Sequence, residues 1–269
     1  MRADRLLGET PRRLFREVDV QGGEAVASDG KWRALVEGDA PGPDEVRIVR
    51  LPLDGTAEAD HFAMLSAPER ERAARFLFEI HRRRFVAARA SLRRVLGLCL
   101  DRDPAGLVFD YTDRGRPSLR LASHPDFDFN LAHSGDLALL AFSSRRVGVD
   151  VERLRDMPNA LAVARRYFSP REVAALRRLA EDARREGFFN AWTRKESLIK
   201  AIGTGLAALK ETEVSLAPNE IPAVLSAPGG AEAWQVFHLE PSPGFVGAVA
   251  VHAAPPPVRL TTWCWPRVG

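Results

Sequence analysis

Cys99 and Cys264 are the only cysteines in the 269-residue chain. They lie far apart and in no metal-ligand spacing, which excludes a disulfide framework and a thiolate metal site. Lysine is nearly as scarce. Lys31, Lys195, Lys200 and Lys210 are the only lysines among 39 basic residues, so the net charge of +3 rests on arginine. An arginine-rich surface attracts anions such as phosphates, nucleic acid or an acidic protein, although a simple compositional bias explains it as readily. No stretch approaches the roughly 18 to 20 apolar residues of a membrane span. The opening MRADRLLGETPRRLFREVD is interrupted by charges and a proline, unlike a signal peptide. These absences lead to the expectation of a cytoplasmic protein with no membrane partner. Two nucleotide and hydrolase signatures are also missing. GTG at 203–205 lacks the Lys-Ser/Thr of a phosphate-binding loop, and no G-x-S-x-G accompanies the adjacent His133 and Ser134.

With 45% hydrophobic and 28% charged residues, the chain has the apolar mass of an ordinary globular protein. Residues 1–43 mix glycine, proline and charge and read as an N-terminal extension, with at most a short helix or strand. EVRIVRLPL reads as a strand. Ser66, with Pro68 behind it, starts a helical region that runs, with a possible break, to Gly97. LVFDY, PSLRL, FDFNLA and LALLAF are strand candidates. A second series follows: VGVDVERL as a strand, two helices ending at Gly203, then TEVSL, WQVFHL and GAVAVH, and a Pro-rich tail over 255–269. The series repeat each other weakly. VRIVRL from Val46 matches VDVERL from Val149, Ser66 matches Ser169, and with a small gap LRRVLG from Leu92 matches LIKAIG from Leu198. The expectation is an α+β fold of two pseudo-symmetric halves, 44–145 and 146–254. Each half is a small, mainly antiparallel sheet on a long helix, with the active site in the cleft between them.

The chemistry concentrates in the second half. Asp150 and Glu152 are two residues apart on a strand and share one face, about 7 Å apart along the chain. In the repeat they fall opposite Arg47 and Val49, so the strand itself does not require acids. Two carboxylates with no His or Cys beside them suit a hard ion such as Mg²⁺, whereas a solvated strand face is the plainer alternative. In WTRKESLIKAIG, Phe188, Trp192, Ile199 and Ile202 form a helical apolar seam that needs a member at 195 or 196 and turns Glu196 inward. Glu196 falls opposite Ala90 in the repeat, and stands one turn from Lys200; an exposed Glu–Lys helix pair is the alternative there. FNLAHS reads as a strand with Phe127, Phe129 and Leu131 buried, ending at His133. Arg116 sits in a rigid turn between Gly115 and Pro117, and the long helix carries Arg70, Arg72, Arg75, Arg82, Arg83, Arg84 and Arg89.

The order of these pieces resembles the 4′-phosphopantetheinyl transferase superfamily of the Sfp type: basic helix, GRP, FNLAHS, GVDVE and WTRKESLIKAIG. The resemblance runs from about Val46 to His252. It implies transfer of the phosphopantetheine arm of coenzyme A to a serine of an apo acyl or peptidyl carrier protein, with release of 3′,5′-ADP. It further implies Mg²⁺ on Asp150, Glu152 and Glu196, Lys200 at the phosphates, and Glu196 as the base for the carrier serine. His133, Arg116, Arg72 and Arg84 match donor-binding positions. Arg116 stands where the motif more often has lysine, and Ala132 where many members have serine. The implied partners are coenzyme A and an acidic carrier rather than nucleic acid, met by a monomer that is a pseudo-dimer within one chain. Docking is expected to combine arginines with apolar residues near Trp192 and the segment 155–170. A Mg²⁺-dependent phosphotransferase or nuclease acting on nucleic acid is the rival class, and a non-catalytic relative that only binds coenzyme A or a carrier is a second.

Overall fold

The computed structural model describes residues 32–35, 42, 44–54, 58–113, 115–119 and 127–265. In the first part of the chain the elements are β1 (Arg33–Ala34), β2 (Glu45–Pro52), α1 (Glu58–Met64), α2 (Ala67–Ala74), α3 (Glu79–Leu100), β3 (Asp110–Tyr111), β4 (Pro117–Ser118), β5 (Asp128–Ser134) and β6 (Leu137–Ser143). The rest comprises β7 (Val147–Arg153), α4 (Ala160–Tyr167), α5 (Pro170–Arg178), α6 (Glu181–Ile202), β8 (Glu213–Val214), β9 (Val224–Ser226), β10 (Trp234–Leu239), β11 (Phe245–His252) and β12 (Arg259–Cys264).

A five-stranded sheet has the order β1-β12-β2-β6-β5, and a three-stranded sheet the order β10-β11-β7. Leu92, Val95 and Leu96 of α3 pack with Val49, Leu51, Phe129, Leu140 and Phe142 of the first sheet. Phe188, Ala191 and Leu198 of α6 pack with Trp234, Val246 and Ala250 of the second. Between the sheets, Val46, Ile48, Leu139 and Ala141 meet Val147, Val149, Val151, Val249 and Val251. The result is four layers, helix–sheet–sheet–helix. It explains why β6, buried at every position, is apolar without alternation.

The second sheet is antiparallel, as expected. The first is mixed, because residues 259–264 of the presumed tail form β12 and pair in parallel with both β1 and β2. LTTWC is rich in β-branched and aromatic residues, and it fills the slot beside β2 that the flanking prolines concealed. Most of the expected N-terminal extension lies outside the described residues. Its described part adds β1 and the buried Trp32, whose Nε1 donates to the Glu240 carbonyl at 3.1 Å.

Two matching helix starts anchor the two layers of helix. The Ser66 amide donates to Glu69 Oε2 at 2.9 Å, and the Ser169 amide to Glu172 Oε2 at 2.8 Å. Each glutamate is then joined by a buried cation from the long helix: Arg93 to Glu69 at 2.7 Å, and Lys195 to Glu172 at 2.6 Å. Lys195 also donates to the Thr212 carbonyl. Matching these pairs differs by one helical turn from the match of Leu92 with Leu198 expected from the sequence. α3 does not stop at Gly97 but continues to Leu100, with Asp101 in the left-handed region at φ 49°. Gly97 is there for close approach instead, since a Cβ would lie 2.8 Å from the Arg102 carbonyl oxygen and from Pro104. Matching Arg93 with Lys195 puts Arg94, not Ala90, opposite Glu196, and the first copy still lacks a carboxylate there. Lys195→Met is expected to cost about 3–5 kcal/mol in urea unfolding, because it strands the Glu172 carboxylate in the core. Adding Glu172→Gln to it should recover part of that loss.

Candidate active site at the seam between the sheets

β7 is an edge strand of its sheet, and it faces β5, the edge of the other sheet. A buried edge needs partners for its amides. Side chains of β5 supply them. Asp128 Oδ2 accepts from the Val147 amide at 2.9 Å, Asn130 Oδ1 from Val149 at 2.9 Å, and Ser134 Oγ from Arg153 at 3.1 Å. Each acceptor and its amide are 19 residues apart, so the side chains form a regular ladder. Ala132 occupies the remaining rung, where serine would supply a hydroxyl. The rung thus offers the Val151 amide no side-chain acceptor from β5.

On the other side of β7, α6 approaches through Gly148. A Cβ there would stand 2.1 Å from the Ser197 carbonyl oxygen and 2.5 Å from the Ala201 nitrogen. This contact brings Lys200 to Asp150, with Nζ 2.6 Å from Oδ1 and 3.3 Å from the Val149 carbonyl. Burial raises the pKa of Asp150 to about 6, with Lys200 opposing the rise and Glu152 adding to it. Its Oδ2 is buried and has no hydrogen-bond partner among the described residues. Glu196, one turn before Lys200, is raised to about 7 by burial, again opposed by Lys200 and reinforced by Asp150 and Glu152. Glu152 accepts from Ser134 Oγ at 2.9 Å and from Arg155 at 3.1 Å.

The three carboxylates are thus electrostatic neighbours, yet among the described residues no group of His, Cys, Asp or Glu side chains converges as a formed metal site. Their chemistry nevertheless fits a hard cation. Asp150 presents an unpartnered oxygen, and like charges held this close are relieved by a cation between them.

A basic group of side chains lies near Lys200 and Glu152. His133 lies on the α3 side of β5, the side of Phe129 and Leu131. Partial burial lowers its pKa, and Lys200, Arg84 and Arg89 lower it further. Arg89 is buried, with its guanidinium over the rings of Phe85 at 5.7 Å and Tyr111 at 5.7 Å. Its Nη1 has no hydrogen-bond partner among the described residues. Arg72 covers the same Phe85 ring at 5.4 Å. The sequence gives no sign that, of the seven arginines singled out above, Arg89 is the buried one. Only its place on the apolar face with Val86 and Ala90 sets it apart. The ladder residues were more legible, because Asp128, Asn130 and Ser134 alternate with the apolar face of FDFNLAHS.

Arg116 and Trp192 take different surroundings from those expected. Arg116 is engaged within the chain, on Asp128 and on backbone carbonyls of β5, β7 and α6. Trp192 packs among Tyr167, Phe168 and Phe188, so it belongs to the core under α4 rather than to an open face. Arg165 and Arg166 of α4 are exposed.

Three acids with Lys200, near guanidinium and imidazole groups and on two sheets packed by long helices, have the chemistry to take a phosphate-bearing ligand. Comparison with known proteins gives the family. Residues 57–145 match the model described as 4′-phosphopantetheinyl transferase, N-terminal. Residues 146–250 match that of the 4′-phosphopantetheinyl transferase superfamily. The two matches meet at the turn before β7. The chain is 43% identical over 213 residues to the 4′-phosphopantetheinyl transferase HetI of Nostoc sp., covering 77% of this chain and 88% of that protein. It is 30% identical to the 4′-phosphopantetheinyl transferase Sfp of Bacillus subtilis, over 58% of this chain and 68% of that one. With an L-aminoadipate-semialdehyde dehydrogenase-phosphopantetheinyl transferase of Xenopus laevis it shares 33% identity, over 56% and 53%. The chain belongs to the 4′-phosphopantetheinyl transferase superfamily and is an enzyme of that class.

Among the described residues no helix is long and apolar enough to cross a membrane.

Proposed function

We propose that the protein transfers the 4′-phosphopantetheine arm of coenzyme A to a serine hydroxyl of an apo carrier protein and releases 3′,5′-ADP. The observation that carries the reading is the Lys200–Asp150 contact beside Glu196 and the unpartnered Asp150 Oδ2, with Lys200 and Glu152 also within electrostatic reach of His133. Asp150, Glu152 and Glu196 would hold Mg²⁺, which when bound supplies positive charge to the donor's phosphate oxygens. Lys200 extends its ammonium toward the same oxygens and opposes the charge that grows on them during in-line attack. Arg72, Arg84, Arg89 and His133 bind the donor's phosphates, with Arg89 held rigid between two rings.

In the transfer, the serine oxygen bonds to phosphorus, the bond to the leaving ADP oxygen breaks, and the serine proton goes to a base. Glu196 is that base. Its carboxylate makes no hydrogen bond or ion pair among the described residues, so it is free to take the proton directly or through a water. Incubation with Mg²⁺, coenzyme A and an apo carrier protein is expected to raise the carrier's mass by one phosphopantetheine. An unchanged mass with acyl and peptidyl carriers alike would refute the reading. Salt-sensitive binding of nucleic acid in that case would favour the rival class.

A further inference from the structure

Arg116 is a single side chain that ties three elements together. Its turn is fixed locally. Gly115 adopts φ 76°, the Arg116 amide donates to Thr112 Oγ1 at 3.1 Å, and the Thr112 amide donates back to the Arg116 carbonyl at 3.0 Å. From that turn Nη1 reaches the Lys200 carbonyl at 2.6 Å. Nη2 lies 2.7 and 2.8 Å from the two oxygens of Asp128, 3.0 Å from the Phe129 carbonyl and 2.9 Å from the Val147 carbonyl. Asp128 in turn accepts from the Val147 amide. Both backbone groups of Val147, the first residue of β7, are therefore held by the Arg116–Asp128 pair.

The Lys200 carbonyl is one of the last four of α6, which have no partner within the helix. Arg116 caps it, and Arg146 caps the Ile202 carbonyl at 2.6 Å. A cation at a helix C-terminus also complements the helix dipole. The clasp thus joins the backbone of Lys200, whose ammonium meets Asp150, to the start of the strand that carries Asp150 and Glu152.

We infer that Arg116 is a positioning residue, which holds the end of α6 against β7 so that Lys200 and Glu196 face Asp150, rather than a ligand of the donor's phosphates. The inference rests on the reading of the site given above. Lysine at this place would carry the charge but could not span Asp128 and the Lys200 carbonyl with a planar fork.

The test compares wild type, Arg116→Met, Asp128→Asn and the double variant, using coenzyme A and 3′-dephospho-coenzyme A as donors with an apo carrier protein. Donor affinity and binding stoichiometry come from calorimetry without carrier, and kcat is normalised to that stoichiometry so that misfolded protein does not count. Arg116→Met is expected to lower kcat by about 10–100-fold with either donor, as losses of supporting partners around metal sites do. Donor affinity should change by less than about threefold, the pattern of an interaction that matters to the reaction step and not to ground-state binding. The Mg²⁺ concentration for half-maximal rate should rise, because Glu196 and Asp150 no longer keep register. Asp128→Asn should reproduce these effects, and the double variant should be no worse than the poorer single. A loss confined to coenzyme A affinity, absent with the dephospho donor, would overturn the inference, as would unchanged kcat in both single variants. If Arg116→Met does not fold, Asp128→Asn carries the same test. Failure of the underlying reading would show separately, as absence of transfer by wild type.

Discussion

Asp150→Ala and Glu196→Ala are each expected to lower kcat/KM for phosphopantetheine transfer by about 100-fold or more, the scale of losing one group that stabilises transition-state charge. The two losses have different companions. Without Asp150, Lys200 loses its 2.6 Å partner and the end of α6 loses a contact with β7, so folding stability falls as well. Glu196 has no hydrogen bond to lose among the described residues, and its removal relieves repulsion from Asp150 and Glu152. Glu196→Ala should therefore leave the unfolding midpoint unchanged or raised while activity collapses. Steady-state transfer assays beside thermal melts check both halves. Activity retained in either variant would remove Mg²⁺ and the proposed base from these residues.

The same carboxylates predict a pH dependence in protein freed of divalent ions. Asp150 and Glu196 bind their protons more tightly in the folded chain than in the unfolded one. Their contribution therefore favours folding at low pH and is lost as pH rises through about 6 for Asp150 and about 7 for Glu196. Melting temperature between pH 5 and 8 should fall more steeply for wild type than for Glu196→Gln. Added Mg²⁺ should flatten the wild-type slope.

Gly148→Ala is the second large effect, and it acts on packing. The added methyl would lie 2.1 Å from the Ser197 carbonyl oxygen and 2.5 Å from the Ala201 nitrogen, both backbone atoms. Neither can swing aside as a flexible side chain would, so α6 must move as a body away from β7. The expected cost is about 3 kcal/mol or more, at the upper end for overpacking a core. The displacement carries Lys200 and Glu196 away from Asp150, so the fraction that still folds should have low activity and a raised Mg²⁺ requirement. Urea unfolding and a Mg²⁺ titration of the transfer rate test this together. An alanine variant as stable as wild type would show that the helix is not held at this distance.

Much of this architecture is legible in the sequence. Ser169, Pro170 and Glu172 announce a helix start, Gly203 ends α6 in the left-handed region at φ 87°, and WQVFHL forms β10 over its full length. The isolated pieces were harder. α1, α4 and β9 are short, with little periodicity to mark them, and α6 begins at Glu181 rather than near Phe188 because charged residues fill its exposed first turns. β12 was hidden because pairing with a strand more than 200 residues earlier leaves no local trace. Lys195 and Glu196 compete for one seam position in the sequence. The structure resolves them by partner: Lys195 is fully buried because Glu172 neutralises it, whereas Glu196 stays half-buried.

The amino-acid sequence by itself determined the family's motifs, the three carboxylates with Lys200, and the α+β character, because residue type and short-range spacing are enough for these. Tertiary structure alone decided which cations remain available for a ligand. Arg116 and Arg89 are both arginines in a basic chain, yet one is engaged by Asp128 and three carbonyls and the other leaves a buried nitrogen without a partner among the described residues. The sequence specifies a charge but not its direction, and direction is set by contacts such as that between Arg116 and Lys200, 84 residues apart.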